Sequence, residues 1–397
     1  MAACPRVAFF PDAYHEANGV ARTSRALVAA AARRRLPVLC VHGGAVTRWI
    51  DEGTGARLEI ARGPASFPLE HDLRYDLLLW RHRKRVVDAV RGFRADVVHI
   101  TGPSDIGQLG AYVACRLNLP LVGSWHTNLH EFAACRIERR LGFLPRASRR
   151  RVSSWVRRRS LWATLQFYKL PAVLMAPNLE LVEFLHGQTR KPTYLMRRGV
   201  DTTLFSPAKR DVDDEMFRFG FVGRLSIEKN VRLLPCIERG LMAAGHTHFR
   251  FLIVGEGSER RWLEQQMRHA DFTGVLHGEP LARAYANMDL LVFPSETDTF
   301  GNVVQEALAS GTPALVSGGG GPRFIVRPEI SGLVATCERE FVESAGSVLN
   351  DGERHQRMRT AAREQAIGAS WDSVFAEVAE VYAEAVTPRD EAGRDRR

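Results

Sequence analysis

Four side chains stand out because their types and spacing suit one kind of reaction. In the segment 293–313, FPSETDTFGNVVQEALASGTP, Asp298 and Glu306 lie eight residues apart. If this segment is a strand end, a turn and a helix starting close to Gly301 and Asn302, that spacing is just over two helical turns, so both carboxylates can face one cleft. A helix start there offers backbone N–H groups and a positive dipole end to a phosphate. Gly301 lets the backbone approach closely. A carboxylate beside a phosphate is unfavourable unless it binds hydroxyls, so the combination suits a sugar and a ribose flanking a diphosphate. In FVGRLSIEKN, Arg224 and Lys229 directly follow a strand. Two cations there can clamp a diphosphate, Arg as a planar fork and Lys as a point charge. Taken singly, these residues also fit a capping carboxylate, a solvated helix Glu and exposed loop charges.

Weaker signals accompany them. Asn18 and Gly19 follow the first strand and precede a helix, another place to present N–H groups to a phosphate. His126 follows a strand in GSWHTNLHEF, where a hydrogen-bonded structural histidine is an equally good reading. Gly255-Glu256-Gly257 begins like a dinucleotide fingerprint but fails as one, because Arg260 stands where the third Gly belongs. Glu296-Thr297-Asp298 superficially resembles an acidic metal motif. No obligatory metal or other cofactor is expected, since Arg224 and Lys229 can already neutralise a diphosphate.

The elements needed to position these residues are legible as alternation. Short β-branched and aromatic runs alternate with helical stretches, the pattern of parallel sheets built from βαβ units. Strands are expected at 7–10, 38–41, 97–100, 121–124 and 172–175, then at 219–222, 251–254, 272–276, 290–293 and 314–316. Helices are expected at 20–34, 106–117, 230–244, 258–269, 281–287 and 302–310. The polar stretch SPAKRDVDD at 206–214 marks a boundary. The fold class is therefore α/β, with two doubly wound domains at 1–208 and 209–370. A helix at 371–386 is expected to pack back on the first domain, and 387–397 reads as a disordered tail.

At 397 residues the chain is long enough for two domains or three, at roughly 150 residues each. Its 45% hydrophobic and 25% charged residues exclude a mainly disordered chain, and no apolar run is long enough to span a bilayer. The start lacks the features of a secretory signal. The six cysteines show no metal or disulfide spacing and read as reduced thiols of a cytosolic protein. The net charge of +10 has a location: 136–160 carries ten arginines against the single Glu138. With Trp155 and Trp162 among them, Arg136–Trp162 suits an anionic membrane surface, where each arginine is worth at most about 1 kcal/mol. A solvated arginine-rich helical face is the plainer alternative. The RHRKR run at 81–85 could belong to the same surface or be an exposed helix start. No nucleic-acid module accompanies the charge, so no nucleic-acid partner is expected.

Taken together, the motifs resemble the retaining, nucleotide-sugar-dependent glycosyltransferases of family four, particularly members that transfer mannose or act on lipids. The resemblance runs through NGVAR at 18–22, HT at 126–127, RGVDTTLFSP at 198–207, VGRLSIEKN at 222–230 and VGEGSER at 254–260. It continues through FTGVLHGEPLARAYANMDLLVFPS at 272–295, TDTFGNVVQEALASGTP at 297–313 and GGP at 320–322. It implies two facing Rossmann-like domains, the GT-B fold, with a cleft between them. It also implies roles. Arg224 and Lys229 would hold the donor diphosphate, with Gly19 approaching it from the other domain. Glu306 would bind the ribose hydroxyls. Asp298, with the backbone from Thr299 through Phe300 and Gly301 to Asn302, would hold the sugar and phosphate. His126 would sit near the anomeric side of the transferred sugar, and Leu276 near the base. Two departures from the family pattern stand in this chain: Asp298 replaces the usual Glu of the acidic pair, and Phe324 follows GGP where an acidic residue is common.

The resulting expectation is a hexosyltransferase, of mannose or glucose type, acting on a lipid-linked acceptor as a cytoplasmic protein peripheral at the inner membrane face. Transfer to a soluble or polysaccharide acceptor, and nucleotide-sugar epimerisation on the same scaffold, stay open. The base, the hexose, the acceptor and the oligomeric state are not set by these residues.

Overall fold

A computed structural model describes residues 5–16, 19–64, 66–70, 73–126, 137 and 145–387. Asn18, Thr127, the stretch 138–144 with Arg136, and 388–397 lie outside the described residues. The chain divides into two compact units, one running to Arg197 and resuming at Val374, the other spanning Arg198–Ser373.

Among the described residues, the first unit holds ten strands: β1 (Val7–Phe10), β2 (Val38–Gly44), β3 (Arg48–Glu52), β4 (Gly55–Ala61), β5 (Ser66–Glu70), β6 (Leu73–Asp76), β7 (Val97–Ile100), β8 (Leu121–Ser124), β9 (Val173–Ala176) and β10 (Thr193–Leu195). Eight of them form one sheet in the order β10-β9-β8-β7-β1-β2-β4-β3. Only β3, at the edge, runs antiparallel to its neighbour. VAFF, VVHI and VLMA are buried throughout, as near-continuous apolar strands covered on both faces are, with His99 the one polar member. The strands β3 to β6, β10 and β16 are not among those expected from sequence. β3, RWIDE, is polar and largely exposed, so it carries no apolar run to detect.

The second unit holds β11 (Phe217–Val222), β12 (Phe249–Val254), β13 (Ala270–Gly274), β14 (Leu290–Phe293), β15 (Ala314–Ser317) and β16 (Gly332–Ala335). Their order, β13-β12-β11-β14-β15-β16, is the doubly wound dinucleotide-fold order, with the direction of winding reversing between β11 and β14. Phenylalanines fill the centre of this sheet. Phe219 stacks on Phe251 at 5.2 Å, and Phe221 on Phe293 at 6.1 Å.

Several boundaries differ from those expected, for identifiable reasons. The strand expected at 272–276 ends at Gly274, whose φ of 76° turns the chain. The helix expected from 230 begins at Leu234, since Asn230 takes a left-handed φ of 53° and Pro235 sits in the first turn. The stretch after Arg197 belongs with the second unit. Phe205 is in that unit's core, and the Arg363 guanidinium donates to the carbonyl oxygens of Phe205 and Thr202 at 2.8 and 3.1 Å. The helix Trp371–Val386 buries Val374, Phe375, Val378, Val381 and Tyr382, and from Val374 onward it is part of the first unit. Among the described residues, no helix is long and apolar enough to cross a membrane.

Candidate active site

In an open doubly wound sheet, ligands bind beyond the carboxyl ends of the strands that flank the reversal. In the second unit those strands are β11 and β14, and the residues singled out from the sequence lie on the loops that leave them. Arg224 follows β11 after Gly223 and is exposed; Lys229 closes the short 3-10 turn Ile227–Lys229. From the other loop, Asp298 meets Lys229. The ammonium Nζ is 2.6 Å from Oδ1 and 2.7 Å from Oδ2 of the carboxylate. The same ammonium lies 5.6 Å from the centre of the Phe293 ring. Beside it, the Thr297 hydroxyl donates to the Glu228 carbonyl oxygen at 3.1 Å, a second tie between the loops.

The helix after β14 spans Asn302–Ala309, so Asp298 stands in the loop ahead of it. The helical spacing expected between Asp298 and Glu306 therefore does not hold; the loop alone sets where Asp298 points. That loop is fixed through its backbone. The Gly321 N–H donates to the Asp298 carbonyl oxygen at 2.7 Å, and a Cβ on Gly321 would fall 2.1 Å from the Thr299 carbonyl oxygen. Gly301 caps the helix at φ 100°, a conformation that excludes most side chains, and a Cβ there would meet Pro322 at 3.0 Å. Thr299, Gly301 and Asn302 are half-buried and Phe300 is buried.

Glu306 is buried on this helix and accepts a hydrogen bond from the Tyr285 hydroxyl at 2.9 Å. Leu276 follows the edge strand β13, half-buried against the core. The VGEG turn supports the loop after β11: the Leu225 N–H donates to the Glu256 carbonyl oxygen at 2.9 Å. Arg260 pairs with Glu256 of this turn and with Glu264 of its own helix.

Gly19 and His126 lie in the first unit. Gly19 is exposed and opens the helix Gly19–Arg33, where its carbonyl oxygen accepts from the Thr23 hydroxyl at 2.9 Å. His126, two residues beyond β8, is buried, with Nε2 2.6 Å from Ser124 Oγ. Asp12, just past β1, accepts from the Ser104 hydroxyl at 2.5 Å, and burial pushes its carboxyl up to about 7.

Asp12, Tyr285 and Arg198 are not individually conspicuous in the sequence. Arg198 is buried, its Nη1 has no hydrogen-bond acceptor among the described residues, and burial pulls its guanidinium down to about 10. The available signal for Asp12 is its place directly after an apolar strand. Tyr285 gives none, because only folding brings it to Glu306.

The basic segment forms the helix Arg146–Tyr168. It buries Ser153, Thr164, Leu165 and Tyr168 and exposes Arg151, Arg157, Arg158 and Arg159. Trp155 and Trp162 are 56% and 59% exposed. The Arg159 guanidinium lies between them, 5.9 and 6.0 Å from the two rings. Trp155, Arg159 and Trp162 thus form one outward stripe at helical spacing.

Residues 17–204 match the family model described as Glycosyltransferase Family 4, and residues 204–365 match the one described as Glycosyl transferases group 1. A GDP-mannose-dependent alpha-mannosyltransferase of Mycobacterium tuberculosis is 36% identical over 318 residues, covering 77% of each chain. Another of the same description, from Mycolicibacterium smegmatis, is 33% identical over 315 residues, 77% of this chain and 78% of its own. Among solved structures, the sucrose-phosphate synthase of Thermosynechococcus elongatus superposes with a TM-score of 0.71 over 96% of this chain and 98% of that one. Its 18% identity makes this a likeness of fold.

Proposed function

The chain belongs to glycosyltransferase family four and is a hexosyltransferase that uses a nucleotide sugar, and we propose that it transfers mannose from GDP-mannose to a lipid-linked acceptor. The observation that carries this reading is the meeting of Lys229 and Asp298 where β11 and β14 end. A cation, a carboxylate and a helix start at the reversal point of a doubly wound sheet are the groups a nucleotide sugar needs. GDP-mannose as the donor rests on the two mycobacterial relatives, which carry that dependence in their names.

In this reading the second unit holds the donor. Arg224 and Lys229 take the diphosphate, together with the N–H groups that open the helix Asn302–Ala309. Asp298 and the Thr299–Asn302 backbone hold the sugar, Glu306 the ribose hydroxyls, and Leu276 borders the base. Gly19 is assigned to the phosphates and His126 to the transferred sugar. As the glycosidic bond breaks, negative charge gathers on the departing diphosphate. Fixed cations and amide dipoles stabilise that charge without having to reorganise. The acceptor hydroxyl attacks from the face the diphosphate leaves, and the departing phosphate takes its proton. The anomeric configuration is retained and no separate base is needed. No obligatory metal is proposed; activity unchanged by a chelator is the corresponding test.

The acceptor half of the proposal rests on the helix Arg146–Tyr168. A stripe of two exposed tryptophans bridged by Arg159, with Arg151, Arg157 and Arg158 around it, suits an anionic lipid surface. The protein would then work as a peripheral protein at the cytoplasmic face. The test is incubation of purified protein with labelled GDP-mannose and anionic vesicles carrying extracted lipids. Label in the lipid phase supports the reading. Label only in water-soluble glycans overturns the lipid acceptor, and preference for a UDP-sugar overturns the donor.

A further inference from the structure

Four buried polar groups of the first unit form one continuous hydrogen-bonded chain that reaches His126. The Tyr382 hydroxyl is 2.7 Å from His99 Nδ1. His99 Nε2 is 2.8 Å from Ser124 Oγ, which in turn is 2.6 Å from His126 Nε2. Exposure is 1% at Tyr382, 0% at His99, 1% at Ser124 and 6% at His126. His99 and Ser124 sit on the paired strands β7 and β8, and Tyr382 comes from the last helix, 256 residues after His126 in sequence.

We propose that Tyr382, acting through His99 and Ser124, is a positioning residue that fixes the ring orientation and tautomer of His126. The proposal rests on the reading that His126 serves the transferred sugar. A neutral imidazole has one donor and one acceptor nitrogen, and a serine hydroxyl donates one hydrogen. Burial holds His99 neutral, pulling it down to about 3. If every hydrogen between Tyr382 and His126 is to be paired within the chain, each member passes a single hydrogen along and two settings remain. A phenol O–H is a stronger donor than a neutral imidazole N–H, which selects the setting that starts at Tyr382. The Tyr382 O–H donates to His99 Nδ1, His99 Nε2–H donates to Ser124, and the Ser124 O–H donates to His126 Nε2. His126 then carries its hydrogen on Nδ1. Protonating His126 would place two donors against Ser124, leaving the serine hydrogen without its acceptor in the chain unless the chain reversed. The relay thus keeps His126 a neutral donor through Nδ1, ready to hold a sugar hydroxyl and unsuited to act as a general acid.

The test combines ¹⁵N-histidine spectroscopy of the full chain with transfer kinetics, the His126 signals being assigned by their loss in His126→Gln. In the wild type, the spectrum should show His126 as the Nδ1–H tautomer. Tyr382→Phe removes only the hydroxyl. It should give a mixture of His126 tautomers and lower kcat about tenfold, with donor KM changed less than about twofold. Ser124→Ala should have the same effect, and serves if the Tyr382 variant fails to fold. Wild-type His126 as the Nε2–H tautomer overturns the proposal. So does an unchanged tautomer and kcat in a folded variant. The spectra need no turnover, so absence of any mannosyl transfer would count against the proposed reaction while leaving the relay measurable.

Discussion

Lys229 and Asp298, expected to serve different parts of the donor, are bonded to one another, with the ammonium 2.6 and 2.7 Å from the two carboxylate oxygens. Both side chains are about one-fifth exposed, at 22% and 23%. The pair joins the loops after β11 and β14, and it also sets a competition. A diphosphate that binds Lys229 must share it with Asp298.

Removing the competitor separates binding from chemistry. Asp298→Asn should let Lys229 engage phosphate freely, so GDP alone binds about fivefold tighter, in keeping with a partly exposed pair worth about 1 kcal/mol. Mannosyl transfer should nevertheless fall, because the carboxylate proposed to hold the sugar is lost. Calorimetry with GDP and a transfer assay on the same variant decide the matter. GDP binding weakened by Asp298→Asn would contradict the shared-cation arrangement.

Tyr285 and Glu306 form a buried polar pair, 2.9 Å apart, on the helix that follows the Asp298 loop and its neighbour. Tyr285→Phe leaves a buried carboxylate short of one donor, a change that costs about 1–3 kcal/mol. The unfolding midpoint in denaturant should drop accordingly. Glu306→Gln keeps an acceptor for the tyrosine, so it should lower donor affinity with a smaller loss of stability. Equal stability losses in the two variants would make Glu306 a purely structural residue.

Two buried histidines make stability fall on acidification. Burial pulls His99 down to about 3 and His42 down to about 4. At these two sites the unfolded chain therefore binds more protons than the folded one below about 6.5, the ordinary histidine value. Each contribution is complete above that pH and is lost as the pH falls toward the folded value. Asp12, pushed up to about 7, works in the opposite sense: its contribution is present at low pH and lost as the pH rises. A single substitution isolates one histidine from these opposing groups. His42→Phe, which keeps a ring to stack on Tyr14, should remove about one proton's worth of slope. That is about 1.4 kcal/mol per pH unit between about pH 4.5 and 6. An unchanged slope would show that His42 titrates normally.

Arg198 predicts a gain of stability on its removal. Among the described residues its buried Nη1 has no acceptor, and an uncompensated buried charge is costly. Arg198→Met should raise the unfolding midpoint measured by calorimetry. A lowered midpoint would mean that the guanidinium contributes more by packing than its charge costs.

What is legible in the sequence depends on where the signals lie. Most of the parallel strands announce themselves because burial on both faces demands near-continuous apolar runs such as VAFF and LLVF, but β4, β10 and β16, also parallel, do not. The edge strand β3 does not, because a largely exposed strand carries charges where a core strand carries valine. The loops with Arg224, Lys229 and Asp298 are readable from residue types following strand ends. Their mutual pairing is not, since 69 residues separate Lys229 from Asp298. The same holds for the Tyr382–His99 contact, at a separation of 283. The spacing of Asp298 and Glu306 misleads, because helical periodicity does not extend over a loop that Gly301 ends.

The proposed membrane contact rests chiefly on Trp155 and Trp162. Replacing both by Ala leaves the arginines in place and should weaken binding to anionic vesicles severalfold in a sedimentation assay, with donor affinity unchanged. Vesicle binding equal to wild type would place the tryptophans in some other role.

In the proposed function, donor binding by the second unit hinges on Lys229, and calorimetric titration of GDP-mannose into the wild type and into Lys229→Ala tests this most directly. Saturable binding to the wild type is expected, with at least about tenfold weaker binding to a folded variant, a difference of about 1.4 kcal/mol. Equal affinity in the two proteins, or no binding of any nucleotide sugar to the wild type, would contradict it.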